Sequence, residues 1–154
     1  MAIRYTPGQL RDALQLTKET FRYWKKNLPA LNAASGHSPC FGPGDLLATA
    51  IVKHATEVAG VSVSRLSSLA EQLFTLSRSS AWVHLERLTA VLSLEEGRVT
   101  FSGGEAGVVA SGLTVLIPLR PIVAALRERL NEADVDPQGR LALPPVALVA
   151  GRRL

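Results

Sequence analysis

Lys18, Arg22, Lys25 and Lys26 fall at i, i+4, i+7 and i+8 within the run TKETFRYWKK, residues 17–26. At the 3.6-residue period of a helix, that spacing sets four cations on one side. Cations so arranged can neutralise a row of phosphates. An arginine among them can also meet the O6 and N7 acceptors of a guanine with two hydrogen bonds. Phe21 and Trp24 are interleaved with these bases. A surface that stacks on nucleotide bases turns such aromatics outward, whereas an amphipathic helix turns them inward and the bases outward. Thr17, Phe21, Trp24 and Leu28 recur at i, i+4, i+7 and i+11, which is a second stripe at the helical period and favours core packing for both rings. Charge alone does not separate a binding face from a solvated one, so the elements around residues 17–26 have to decide.

No other group of residues carries comparable chemistry. Cys40 is the single cysteine, so neither an intramolecular disulfide nor a paired-cysteine metal site is available. His37 lies three residues from it, while His54 and His84 are distant in sequence, and His54 reads as a helix residue. Ser62 and Ser64 stand in no nucleophile-elbow pattern, Glu95-Glu96 reads as a turn, and Gly103-Gly104 alone does not make a phosphate cradle. No catalytic residue, metal or cofactor is expected, and the chain does not read as an enzyme.

The 154 residues suffice for one domain or two small ones. Hydrophobic residues make up 47% and charged residues 19%, ordinary proportions for a folded protein. The net charge is +4 and the isoelectric point about 9.7, a mild lean toward a polyanionic partner. Its distribution says more. Residues 1–78 carry nine Lys/Arg against five Asp/Glu, and residues 79–154 carry eight of each, so the whole excess lies in the first half. With one cysteine, no apolar signal core in MAIRYTPGQL and no apolar run of about 18 residues, the expectation is a cytoplasmic protein with no membrane association.

The elements that would hold the basic run are readable from their ends. Thr6-Pro7-Gly8-Gln9 has an N-cap, a proline at the first helical position and a glutamine placed for a capping box. That predicts a helix to about Leu14, with Leu10, Ala13 and Leu14 on one face. After a break at Gln15-Leu16, Thr17 caps a second helix from Lys18 to about Lys26. Residues 29–43 are rich in Pro, Gly, Ser and Asn and read as a loop or small hairpin. Gly42-Pro43-Gly44-Asp45 opens a third helix to about Val58, with Leu47, Ile51, His54, Ala55 and Val58 along its apolar side. Gly60 closes it, and Ser62 or Ser64 starts a fourth with Leu66, Leu69, Leu73 and Leu76 as its stripe. Beyond residue 78 a short helical stretch near 80–87 precedes a strand at 90–94, a turn at Glu95-Glu96-Gly97 and a strand at 98–102. Leu113–Ile117 is a further strand. Pro121 fits the first turn of a helix to about Asn131, with Ile122, Ala125, Leu126 and Leu130 inward. The tail LALPPVALVAGRRL is apolar and broken by prolines, a strand for a partner or for the sheet.

Two short helices, a Gly/Pro-containing loop and two more helices follow the order of a winged helix-turn-helix. In detail, residues 4–76 resemble the MerR-like DNA-binding domains. Thr20-Phe21-Arg22-Tyr23-Trp24 stands where that family has Thr-Leu-Arg-Tyr-Tyr on its recognition helix, at the expected distance after Leu16-Thr17. Gly60-Val61-Ser62-Val63 stands where its later helix pair is joined by Gly-aromatic-Ser-Leu, and Phe41 and Asp45-Leu46 match its aromatic and acid-Leu positions. Lys25 replaces the acid that commonly follows the two aromatics, and His37-Ser38-Pro39 occupies the loop where the family carries a wing arginine. The long C-terminal dimerising helix of the metal- and drug-sensing members is absent.

The resemblance implies double-stranded DNA as the partner. Thr17, Lys18 and Glu19 would then lie nearest the base edges, with Lys25 and Lys26 nearer phosphate. Arg22 is open to either role. The Tyr23 hydroxyl reaches a phosphate or rims the core, and His37 is the candidate in the wing-like loop. The expected fold is α+β: a winged helix-turn-helix over residues 1–78, of four helices and a wing-like loop, and a small β-hairpin-plus-helix module over residues 79–154. One short recognition helix buries too little surface for tight specific binding, so a homodimer on a repeated site is expected, with the neutral second half as its dimerising or partner-binding part. The reading is a sequence-specific transcriptional regulator. Its alternatives are an excisionase-like factor that bends DNA and a protein-interaction module that keeps the helix-turn-helix as scaffold.

Overall fold

The structure, a computed structural model, describes residues 3–33, 38–103 and 112–135. It is α+β. Among the described residues six α-helices and a three-stranded antiparallel sheet follow one another as α1 (Pro7–Leu14), α2 (Lys18–Asn27), a 3-10 turn (Pro29–Ala33), α3 (Pro43–Glu57), α4 (Val63–Arg78), α5 (Trp82–Leu85), β1 (Thr89–Ser93), β2 (Arg98–Ser102), β3 (Thr114–Pro118) and α6 (Leu119–Val135). His37 and the tail from residue 141 lie outside the described residues.

Local chemistry sets the first two helices. The Gln9 N–H donates to Thr6 Oγ1 at 3.1 Å, and the Thr6 N–H donates to Gln9 Oε1 at 2.8 Å. This reciprocal pair satisfies two backbone donors that a helix start leaves open. At the other end Gln15 takes a left-handed conformation, φ 55°, and the Leu16 N–H donates to the Arg11 carbonyl at 2.9 Å. The chain turns there and enters α2 at once, with Thr17 Oγ1 accepting from the Thr20 N–H at 3.1 Å. Neither helix exceeds ten residues, too short to persist without tertiary support. The support is a shared core: Leu10, Ala13 and Leu14 of α1 and Phe21 and Trp24 of α2 are all buried.

The helix α3 runs through the middle of the molecule, with every residue from Asp45 to Val52 buried. Its start is locked to the end of α4. Asp45 Oδ2 accepts from the Gly42 N–H at 2.8 Å, and Asp45 Oδ1 accepts from Arg78 Nε at 2.6 Å. A Cβ on Gly44 would stand 2.6 Å from both the Arg78 Cα and the Ser77 carbonyl oxygen, so only glycine lets the two backbones approach this closely. Trp82 Nε1 donates to the Pro43 carbonyl at 3.1 Å and ties α5 to the same corner.

The strand order is β2-β1-β3. Ala90, Leu92, Val99 and Ile117 are buried against the helices. Gln72 of α4 meets β2 as a neighbouring strand would: its Nε2 donates to the Gly97 carbonyl at 2.7 Å, and its Oε1 accepts from the Val99 N–H at 3.0 Å. The helix α6 packs on α1 and α3, and Arg127 donates to Glu86 at 2.8 Å. One apolar core therefore runs from Tyr5 to Leu130, and no gap divides it at residue 78.

Two sequence expectations are corrected, and the strand expected near Leu113–Ile117 is found as β3. Val58 is 71% exposed. The Val61 N–H returns to the Ala55 carbonyl, so the chain reverses through Gly60 with Val58 on the outside of the bend. Ala125 is exposed and Val123 takes the inner place, because the buried positions of α6 follow Leu119, Ile122, Val123, Leu126 and Leu130. The second half holds a third strand in register with the hairpin, β3 pairing with β1 from Thr89↔Pro118 to Ser93↔Thr114.

Candidate nucleic-acid interface

The orientation of α2 is fixed by what it buries. Phe21 and Trp24 are 6% and 4% exposed, and the helix ends on Leu28, which has no exposed surface. The opposite side then has to face water. Lys18, Glu19, Arg22, Tyr23 and Lys26 are exposed there. Lys25 is half-buried, its Nζ 5.6 Å from the Phe21 ring centroid. A cation over a ring face is attracted to it while its charge stays accessible at the rim.

Among the described residues none of Lys18, Arg22, Lys25 and Lys26 is held in an ion pair, in contrast to Lys53 with Glu57, Arg78 with Asp45 and Arg127 with Glu86. Four cations against the single acid Glu19 leave this helix face strongly positive. Lys25 and Lys26 also sit in the last turn, where the partial negative charge of the helix end favours them.

The remaining candidates divide. Thr17 is exposed, but its hydroxyl is committed to the helix start: it accepts from the Thr20 N–H and donates to Thr20 Oγ1 at 2.9 Å. Tyr23 is 53% exposed, so its ring lies outside the core. Lys18 and Glu19 occupy the first turn, free of the cap. The candidate in the wing-like loop, His37, is outside the described residues.

Arg4 is a further cation near Cys40, and no motif in the sequence marks it. The chain from residue 4 returns to residues 40–41 through a bridge in which the Tyr5 N–H donates to the Phe41 carbonyl at 2.7 Å and the Phe41 N–H to the Tyr5 carbonyl at 3.0 Å. This bridge sets the exposed Arg4 beside Cys40, with Nη1 donating to the Cys40 carbonyl at 3.4 Å. Burial pushes the Cys40 thiol pKa up, Asp45 adds to the rise, and the nearby charges of Arg4 and Lys25 pull it back. Both cations are thus within electrostatic reach of one thiol.

Among the described residues no three of His, Cys, Asp and Glu gather as a metal site would require, and the one buried side-chain oxygen without a hydrogen bond, Ser77 Oγ, sits at the tight α3–α4 crossing. No helix among them is long and apolar enough to cross a membrane. Comparison with protein-family models, with curated proteins and with solved structures finds no match to this chain.

Proposed function

We propose that the chain is a sequence-specific double-stranded DNA-binding regulator that acts as a dimer, with α2 as its recognition helix in the major groove. The observation that carries this reading is the two-sidedness of α2. Its aromatic face is core, while its four cations are unpaired among the described residues. A charged face kept only for solubility does not require a single sign, whereas a phosphate backbone rewards one through counterion release. The break at Gln15-Leu16 supports the reading, since it turns the chain sharply between two short helices, as a helix-turn-helix requires. The Tyr5–Phe41 bridge ties the segment before α3 back to the start of the chain.

On this reading Lys18 and Glu19 approach base edges, Arg22 bonds a guanine or a phosphate, and Lys25, Lys26 and Arg4 hold phosphates. Thr17 acts as the cap that orients them. The test is selection of bound duplexes from a randomised pool by the full chain. Recovered sequences are expected to share a repeated half-site spaced by about 10 base pairs or a multiple of it. A pool that stays random, with affinity indifferent to salt, would overturn the reading.

A further inference from the structure

The sheet has two edges, and they are treated differently. On the β2 side the Gly97 carbonyl and the Val99 N–H are taken by Gln72, whose helix α4 packs along that strand. On β3 no further strand lies beyond the ladder among the described residues. The Leu94 N–H donates to the Leu113 carbonyl, and the Leu119 N–H donates to the Leu88 carbonyl. Hydrogen-bonded pairs alternate along an antiparallel ladder, so Val115 and Ile117 bond β1, while Thr114, Leu116 and Pro118 turn their backbone groups to the open edge. Natural edges are blunted by charge, proline, bulges, shortness or cover. The strand β3, TVLIP, has no charged residue and only the terminal Pro118 as such a device, and Leu116 is 53% exposed.

We propose that β3 pairs antiparallel with β3 of a second copy about a two-fold axis at Leu116, joining two three-stranded sheets into one. This names the interface of the dimer in the proposed function and rests on that part of it. The pairing is self-complementary. Each Leu116 exchanges N–H and carbonyl with Leu116 of the second copy, and each Thr114 N–H donates to the Pro118 carbonyl of the other. Pro118, which has no N–H, is required only to accept. The outer row Thr100–Val91–Leu116, set by the register, then continues across the axis into its own copy as a half-apolar band. Charge agrees as well. The Glu95 carboxylate lies against Gly112 at one end of β3, the exposed Arg120 follows the other end, and a two-fold at Leu116 brings the acidic end of one strand toward the basic end of the other.

The test is self-association without DNA, by sedimentation over a range of protein concentrations. The full chain is expected to dimerise. Leu116→Lys places like charges opposite one another and is expected to give a monomer with unchanged helical circular dichroism. Under mild oxidation in a Cys40→Ser background, Leu116→Cys is expected to form a covalent dimer and Arg98→Cys, on β2, to remain single. A monomeric full chain, a Leu116→Lys dimer or equal cross-linking at residue 98 would each overturn the interface. A dimer that dissociates as described but ignores duplex DNA would leave the interface standing and remove the proposed function alone.

Discussion

Lys25 Nζ stands 5.6 Å from the centroid of the Phe21 ring, one turn earlier on the same helix. The contact lies where the buried and charged faces of α2 meet. It shows how a chain with 5% aromatic residues uses them: the rings hold the helix against the core so that the cations are presented in a fixed order. The aromatic positions and the basic positions are separate in role, and substitutions should separate them.

Trp24→Ala is expected to act on stability. Trp24 is 4% exposed, and truncating a buried aromatic costs about 3–5 kcal/mol, a large share of a small domain's stability. Tyr23→Ala, on the exposed side, should stay within about 0.5 kcal/mol of the parent. Thermal melting of the two variants decides it; an unchanged midpoint for Trp24→Ala would put the ring outside the core.

Gly44→Ala is expected to loosen the whole helical part. The added methyl would meet the Ser77 carbonyl and the Arg78 backbone at 2.6 Å, and backbone cannot step aside as a flexible side chain can. Overpacking of this kind costs about 1–3 kcal/mol. The same shift would pull Asp45 from Arg78 and Pro43 from Trp82. Denaturant titration should show a lower midpoint, together with a change in Trp82 fluorescence; equal midpoints would contradict the close approach of α3 and α4.

Alkaline pH is expected to weaken the fold through Cys40 and Tyr5. Burial raises both pKa values above their ordinary positions of 9.0 and 10.0. A raised acid favours its neutral form in the folded state, so its contribution is complete below the ordinary value and is lost as pH rises through the raised one. Stability should therefore be flat near neutrality and fall above pH 9, first through Cys40 and then through Tyr5. Cys40→Ser together with Tyr5→Phe should flatten that fall. Chemical denaturation between pH 7 and 11 measures it, and an unaltered slope in the double variant would show that other groups are responsible.

What the sequence disclosed was what short-range chemistry decides. Thr6 with Gln9, Thr17 and Ser62 mark helix starts because their side chains bond backbone N–H groups three residues on. The stripe of Phe21 and Trp24 gives the inner face of α2 because the period is intrinsic to the helix. Gly97, at φ 66°, marks the hairpin turn. The rest depends on residues distant in sequence. Gln72 acts as a strand partner 25 and 27 residues away. Gly44 reads as part of a helix start, yet it is required by a backbone more than thirty residues downstream. Arg4 comes to stand beside Cys40 only through the Tyr5–Phe41 bridge. No pattern in the first half signals that α6 would close over α1 and α3, which is why a boundary at residue 78 looked natural in composition although the core is continuous across it.

The most direct test of the central claim is duplex binding by Lys18→Ala/Arg22→Ala/Lys26→Ala, measured by fluorescence anisotropy at several salt concentrations beside the parent. Each phosphate contact contributes a slope of about −0.9 in log K against log salt, and loss of an arginine that reads a base costs about 1–3 kcal/mol on the specific site alone. The parent is expected to bind duplex DNA with a steep salt dependence. The variant, with an unchanged melting midpoint, is expected to bind at least a hundredfold more weakly and with a shallower slope. A parent that does not bind duplex DNA, or a variant that binds every duplex as the parent does, would contradict the assignment of α2 as the recognition helix.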